Sequence, residues 1–321
     1  AAVAMVNLGG ELADVAKDLP IAAADRLAAV REDLEGRANE FLLKARLSLL
    51  NPVAEGEDRF RRTEGYFEQA LAAARTAEVL FEYAYFLVEQ NASRAEPLYQ
   101  EALQLLRSKA EADPKAFLSD VATTLNNLAL LHVDTGAFAS TLTEYEEALT
   151  LNRRLAEDDP NAYLPDVAMT LNNLATLHKD TGNYCPALAE YEEALKIRRD
   201  LARKEPDAFL QDVAMTLNNL ANLHRVTNNY GPALTEYEEA LKIRRDLAEK
   251  EPEAFSQVLA ETLLNLGIFY LQAMPDKDKS VAYAQEARKI LLSLIKQAPH
   301  LQGHLDQAEQ LLEDNKARPG E

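Results

Sequence analysis

The chain has 321 residues, 47% of them hydrophobic and 27% charged, and its 53 acidic against 34 basic side chains leave a net charge of −19 at pH 7. Charge of that sign repels phosphate backbones and anionic bilayers, so neither nucleic acid nor a membrane is the expected partner, and no apolar run stands out as a bilayer span of ~20 residues. The single cysteine, Cys185, cannot form an internal disulfide and suits a reducing, cytoplasmic setting.

Residues 1–30 read as a helical lead, or as a linker to a preceding domain, with breaks at Gly9-Gly10 and Pro20. Apolar periodicity over 37–50 and 66–71 makes 31–75 a loose helix pair, and the runs at 81–86 and 94–103 make 76–113 a second. The pattern then becomes regular: units 114–159, 160–205 and 206–251 repeat one another at a step of 46 residues. The seams Asp113-Pro114, Asp159-Pro160, Glu205-Pro206 and Glu251-Pro252 set a proline where a first helical turn tolerates a missing N–H. A degenerate unit, 252–298, and an amphipathic capping helix, 301–312, follow before an expected disordered tail over 313–321.

Inside a unit, Val121, Leu125, Leu128 and His132 recur at spacings of 4, 3 and 4 and mark one face of a first helix. After the turn Asp134-Thr135-Gly136, the stripe Leu142, Tyr145, Ala148, Leu149 and Leu151 marks a second helix, folded back on the first. Ala129, Ala175, Ala221 and Gly267 face Thr141, Ala187 and Ala233, small enough for close axial approach. The expected fold class is all-α, a right-handed superhelical solenoid of antiparallel helix pairs.

These residues also carry a family resemblance. LNNLAxLHxxTGxY followed by ALxEYEEAL resembles the tetratricopeptide repeat, and DVAxTLNNLA with ALKIRR resembles its kinesin-light-chain subtype with lengthened units. The sequence departs from the family in its period, since the common unit has about 34 residues, and in placing His132, His178 and His224 where the family has an aromatic residue. The resemblance implies a groove lined by first helices, in which asparagines hold the main chain of an extended peptide. The matching positions here are Asn126 with Asn127, Asn172 with Asn173, Asn218 with Asn219, and Asn265. An amide both donates and accepts, so it binds a backbone without reading sequence; the competing structural role is for one Asn of each pair to bond across to the next unit. Further along the same helices, Leu130, Thr176 and Asn222, then Lys179 and Arg225, differ between units and are candidates for reading side chains.

Other signals are weaker. The histidines lie one per unit on the core stripe, too far apart to share an ion, and are expected to pack rather than bind metal. The EYEE runs are expected to form a solvated acidic face, balanced locally by Lys196 and Arg199 and by Lys242 and Arg245. Phosphate-binding glycine loops, nucleophile elbows and CxxC or HExxH motifs do not occur, so neither catalysis nor a cofactor is expected. The expected role is a protein-interaction scaffold. Two alternatives stand beside it: a sensor arm of a larger signalling or defence enzyme whose catalytic domain lies outside this chain, and a self-assembling repeat scaffold.

Overall fold

The computed structural model describes residues 21–50, 56–88 and 90–317, and within them every extended element is an α-helix. In chain order these are α1 (Ile21–Leu49), α2 (Gly56–Ala73), α3 (Ala77–Leu87), α4 (Ala92–Ala112), α5 (Pro114–Thr135), α6 (Phe138–Asp158), α7 (Pro160–Asp180), α8 (Tyr184–Lys204), α9 (Pro206–Val226), α10 (Tyr230–Lys250), α11 (Pro252–Gln272), α12 (Lys277–Leu294) and α13 (Gln302–Ala317). Consecutive helices pack on one another, the all-α helix-pair architecture that the repeat predicts. The expected lead over 1–20 and the last residues of the expected tail, 318–321, lie outside the described residues.

Two boundaries differ from expectation. Helix α1 starts at Ile21 and runs without a break past residue 30, so the lead does not end there. Helix α13 continues through Ala317, so 313–317 are helical rather than disordered. The cause is Asn315, 1% exposed, whose amide donates to Ser280 Oγ at 2.9 Å and to the Leu311 carbonyl at 2.7 Å. A buried amide fixed on both sides holds the last turn in place.

Helix ends follow from seam and turn residues. Asp113 and Asp159 accept a bond from the backbone N–H of the third residue of the following helix, at 3.2 Å from Ala116 N and Ala162 N. Glu205 and Glu251, one methylene longer, make no such cap. Between paired helices the chain turns through left-handed residues, Gly136 (φ 73°), Gly182 (φ 80°) and Asn228 (φ 60°). Asn183 N and Asn229 N then donate back to the His178 and His224 carbonyls at 2.7 Å.

The described residues form two compact units, one up to Leu151 and one from Asn152 onward. In the first, α2 and α3 pack through rings: Phe60 stacks on Phe86 at 4.7 Å between centroids, and Phe67 on Tyr83 at 5.1 Å. In the second, Ala175, Ala187, Ala221 and Ala233 are fully buried, so paired helices approach closely. At Gly267 a Cβ would stand 2.6 Å from Leu311 Cδ2, which is how α13 seats against α11. Helix α11 is long and apolar enough to cross a membrane, contrary to the expectation that no segment would be. Its composition has a simpler cause: Leu259, Leu263, Leu264, Leu266 and Phe269 are buried by helices on both sides.

Candidate functional site

The first helices of the second unit share one solvent-facing stripe. On α7 it reads Asp166, Met169, Asn173 and Thr176; on α9, Asp212, Met215, Asn219 and Asn222; on α11, Val258, Glu261, Asn265 and Ile268. Their 3, 4, 3 spacing keeps them on one helix face, and all are half-buried except Met169, which is exposed.

The asparagine pairs divide their work. Asn172 and Asn218 are buried, 4% and 8% exposed, and sit in the wall between repeats. Asn219 Nδ2 donates to Asn172 Oδ1 at 3.2 Å, and Asn265 Nδ2 donates to Asn218 Oδ1 at 3.0 Å. The first Asn of each pair thus takes the structural course and the second stays at the surface with its carbonyl unengaged. In the first unit Asn126 is buried with its amide on the Ala122 carbonyl, while Asn127 is half-buried with its amide on the Thr123 carbonyl at 2.9 Å. Leu130 is 48% exposed.

Thr176 and Asn222 are tied from behind by the tyrosines of the second helices. The Thr176 hydroxyl donates to the Asn172 carbonyl at 2.9 Å, leaving Tyr191 to donate to Thr176 Oγ1 at 2.8 Å. Tyr237 donates to Asn222 Oδ1 at 2.7 Å, which turns the Asn222 NH2 outward. Burial pushes the Tyr237 phenol up to about 12, although the Arg225 guanidinium beside it pulls the other way; burial pushes Tyr191 up as well. Lys179 pairs with Asp180 at 3.1 Å. This stretch therefore presents the NH2 of Asn222, with the half-buried Arg225 guanidinium beside Tyr237, next to a column of amide carbonyls.

The glutamates do not form the purely solvated face expected of them. Glu144, Glu190 and Glu236 turn inward and accept from His132, His178 and His224 Nδ1 at 2.9, 2.8 and 2.8 Å. Each pair clips a first helix to its second, so the histidines pack as expected but with a carboxylate partner. Burial raises the carboxyl pKa of Glu144 and Glu236, and the histidine opposes that rise. Glu147, Glu193 and Glu239 are bridged by Arg107, Arg153 and Arg199 from the preceding second helix at 2.7 Å. Arg199 thus serves the next repeat rather than Glu192 on its own helix, because the guanidinium reaches across the groove between helices. Open clefts flank these bridges on the second-helix side, about 370 Å³ over Leu195 and Leu220 in the second unit and about 470 Å³ over Leu103 and Leu125 in the first.

Inside the wall, Arg198 is 3% exposed and donates to Thr216 Oγ1 at 2.6 Å and to the Asp212 carbonyl at 3.1 Å. Arg244 repeats the arrangement on Thr262 and Val258, and burial lowers its pKa to about 10. One period before Arg198 the residue is Asn152, with a single bond to Thr170 Oγ1 at 3.2 Å. These rungs escaped the sequence reading, yet each had a signal: His and Glu recur at a separation of 12 and Arg and Glu at 40 in successive units.

Residues 120–200 and 213–252 match family models described as tetratricopeptide repeat. Among solved structures, BtubC (BKLC) from P. vanneervenii is 26% identical with a TM-score of 0.55, over 82% of this chain and 92% of that one. The apo form of RapI is 15% identical with a TM-score of 0.61, over 87% and 96%. A Rap protein complexed with Competence and Sporulation Factor is 17% identical with a TM-score of 0.51, over 81% and 71%. A search of curated protein sequences returned no match.

Proposed function

Since this chain belongs to the tetratricopeptide-repeat proteins, a family of helical interaction scaffolds, we propose that it is a binding protein and not a catalyst, and that an extended peptide or protein segment lies along its first-helix face. The observation that carries the reading is the division of labour in the asparagine pairs. Asn172 and Asn218 are buried in the wall, whereas Asn173, Asn219 and Asn265 recur half-buried on the outer face; Asn219 and Asn265 each spend one N–H on the wall and keep the side-chain carbonyl for a ligand backbone. Asn222 and Arg225, held by and beside Tyr237, add donors for ligand carbonyls or carboxylates. The Rap complex, a fold-mate solved with a bound factor, lends support at the level of fold.

The test uses twelve-residue peptides of random sequence displayed on phage and selected on the immobilised full chain. The reading expects specific peptides whose affinity falls at least tenfold, about 1.4 kcal/mol, in the Asn173→Ala, Asn219→Ala double variant, with the helical circular dichroism signal retained. Equal affinity for wild type and variant would overturn it.

A further inference from the structure

The wall arginines explain a carboxylate that lacks a partner. Asp212 lies in the field of Arg198, buried between α8 and α9. At the equivalent place before α7 the chain has Asn152, neutral and too short to extend beyond Thr170. Asp166 on α7, the counterpart of Asp212, is therefore left without a cation. Among the described residues its carboxylate has no hydrogen-bond or ion-pair partner, and burial raises its pKa with no neighbouring charge contributing. A half-buried, ionised and unpaired carboxylate is an unfavourable arrangement that a cation from outside would relieve.

Position makes that cation part of a ligand. Asp166 shares its helix face with the exposed Met169 and with Asn173, about two turns or ~10 Å further on. A main chain held at Asn173 brings a side chain one or two residues away over Asp166, since an extended chain advances ~3.3 Å per residue and a lysine or arginine stem spans the remainder. The thioether of Met169 lies between the two and suits the aliphatic part of such a stem.

We infer that Asp166 seats a lysine or arginine side chain of the bound segment, so that the second unit selects for a basic residue at a fixed distance from the asparagine column. This rests on the recognition role proposed above. It also fits a chain of net charge −19, which attracts basic partners at long range.

The same phage selection is repeated on wild type, Asp166→Asn and Asn152→Arg, the last supplying the missing guanidinium from inside the wall. The expected result is a lysine or arginine at one register in peptides selected by wild type, and its loss from peptides selected by either variant. A synthetic wild-type-selected peptide should bind Asp166→Asn about tenfold more weakly, and replacing its basic residue by norleucine should have no further effect on that variant. Peptides that bind wild type in an Asn173-dependent manner without a basic residue, or that bind Asp166→Asn equally well, overturn this inference and leave the groove reading intact. A selection that yields no peptide on wild type overturns both. Should Asn152→Arg fail to fold, the comparison with Asp166→Asn decides alone.

Discussion

In the first unit α2 and α3 are joined mainly by rings, Phe60 on Phe86 and Phe67 between Tyr83 and Phe86. In the second, the joints that recur from repeat to repeat are rungs of polar side chains, asparagine on asparagine, arginine on threonine and histidine on glutamate, and rings return where α10 meets α11, with Phe269 against Tyr230 and Tyr237. Ring packing is non-directional and accepts many sequences, provided that bulk is conserved. Polar rungs need donor and acceptor at fixed offsets on facing helices, and a buried amide or guanidinium that misses its partner is penalised. The difference fits a ring-packed region that is degenerate in sequence beside units 160–205 and 206–251, which repeat almost letter for letter.

Substitutions that exchange one kind of joint for a defect in the other sharpen the contrast. The largest effect is expected at Phe67, which is 1% exposed: Phe67→Ala should lower unfolding free energy by about 3–5 kcal/mol, measured by denaturant titration. In the second unit the helices meet over small side chains, and Ala175→Leu should overpack that contact by about 1–3 kcal/mol; an unchanged melting temperature would contradict close approach there.

Asp166→Asn tests the open rung without any ligand. Burial holds the folded-state pKa of Asp166 above its ordinary 3.8, so the folded form binds the proton more tightly than the unfolded form does. Stability contributed by that excess is present at low pH and is lost as pH rises through the folded-state value. Asp166→Asn should therefore be more stable than wild type at pH 7, with the advantage vanishing below about pH 3.8; thermal melts across this range show it, and a gain that persists in acid would exclude the explanation. The smallest effect is expected at the seam, where Glu205→Asp should recreate the cap made by Asp159 and add about 0.5–1 kcal/mol.

The helix pairs were legible because both periods, 46 residues and the 3–4 spacing of apolar positions, are written along one strand of text. The asparagine column was legible as a column, but the assignment of one Asn to the wall and the other to the surface depends on the rotation of neighbouring helices, which spacing within a helix does not fix. For the same reason Glu144, Glu190 and Glu236 were read as solvated: a single helix places them beside other glutamates, and only the facing helix supplies His132, His178 and His224. Tyr145 was legible on the second-helix stripe, but the hydroxyls of its counterparts Tyr191 and Tyr237 anchor the variable positions Thr176 and Asn222, which the stripe does not reveal. The last helix runs past the expected 312 because Asn315, polar in sequence, is buried in the structure.

The most direct measurement is the side-chain amide spectrum of the asparagines, recorded by ¹H–¹⁵N NMR on the full chain with and without a peptide selected from the random library. If the first-helix face is the recognition surface, the NH2 resonances of Asn173, Asn219 and Asn265, assigned by single substitution, shift on binding while that of Asn161, exposed near the start of α7, stays in place. A bound peptide that leaves all three unmoved and perturbs only residues along the Arg199–Glu239 clefts would contradict the account.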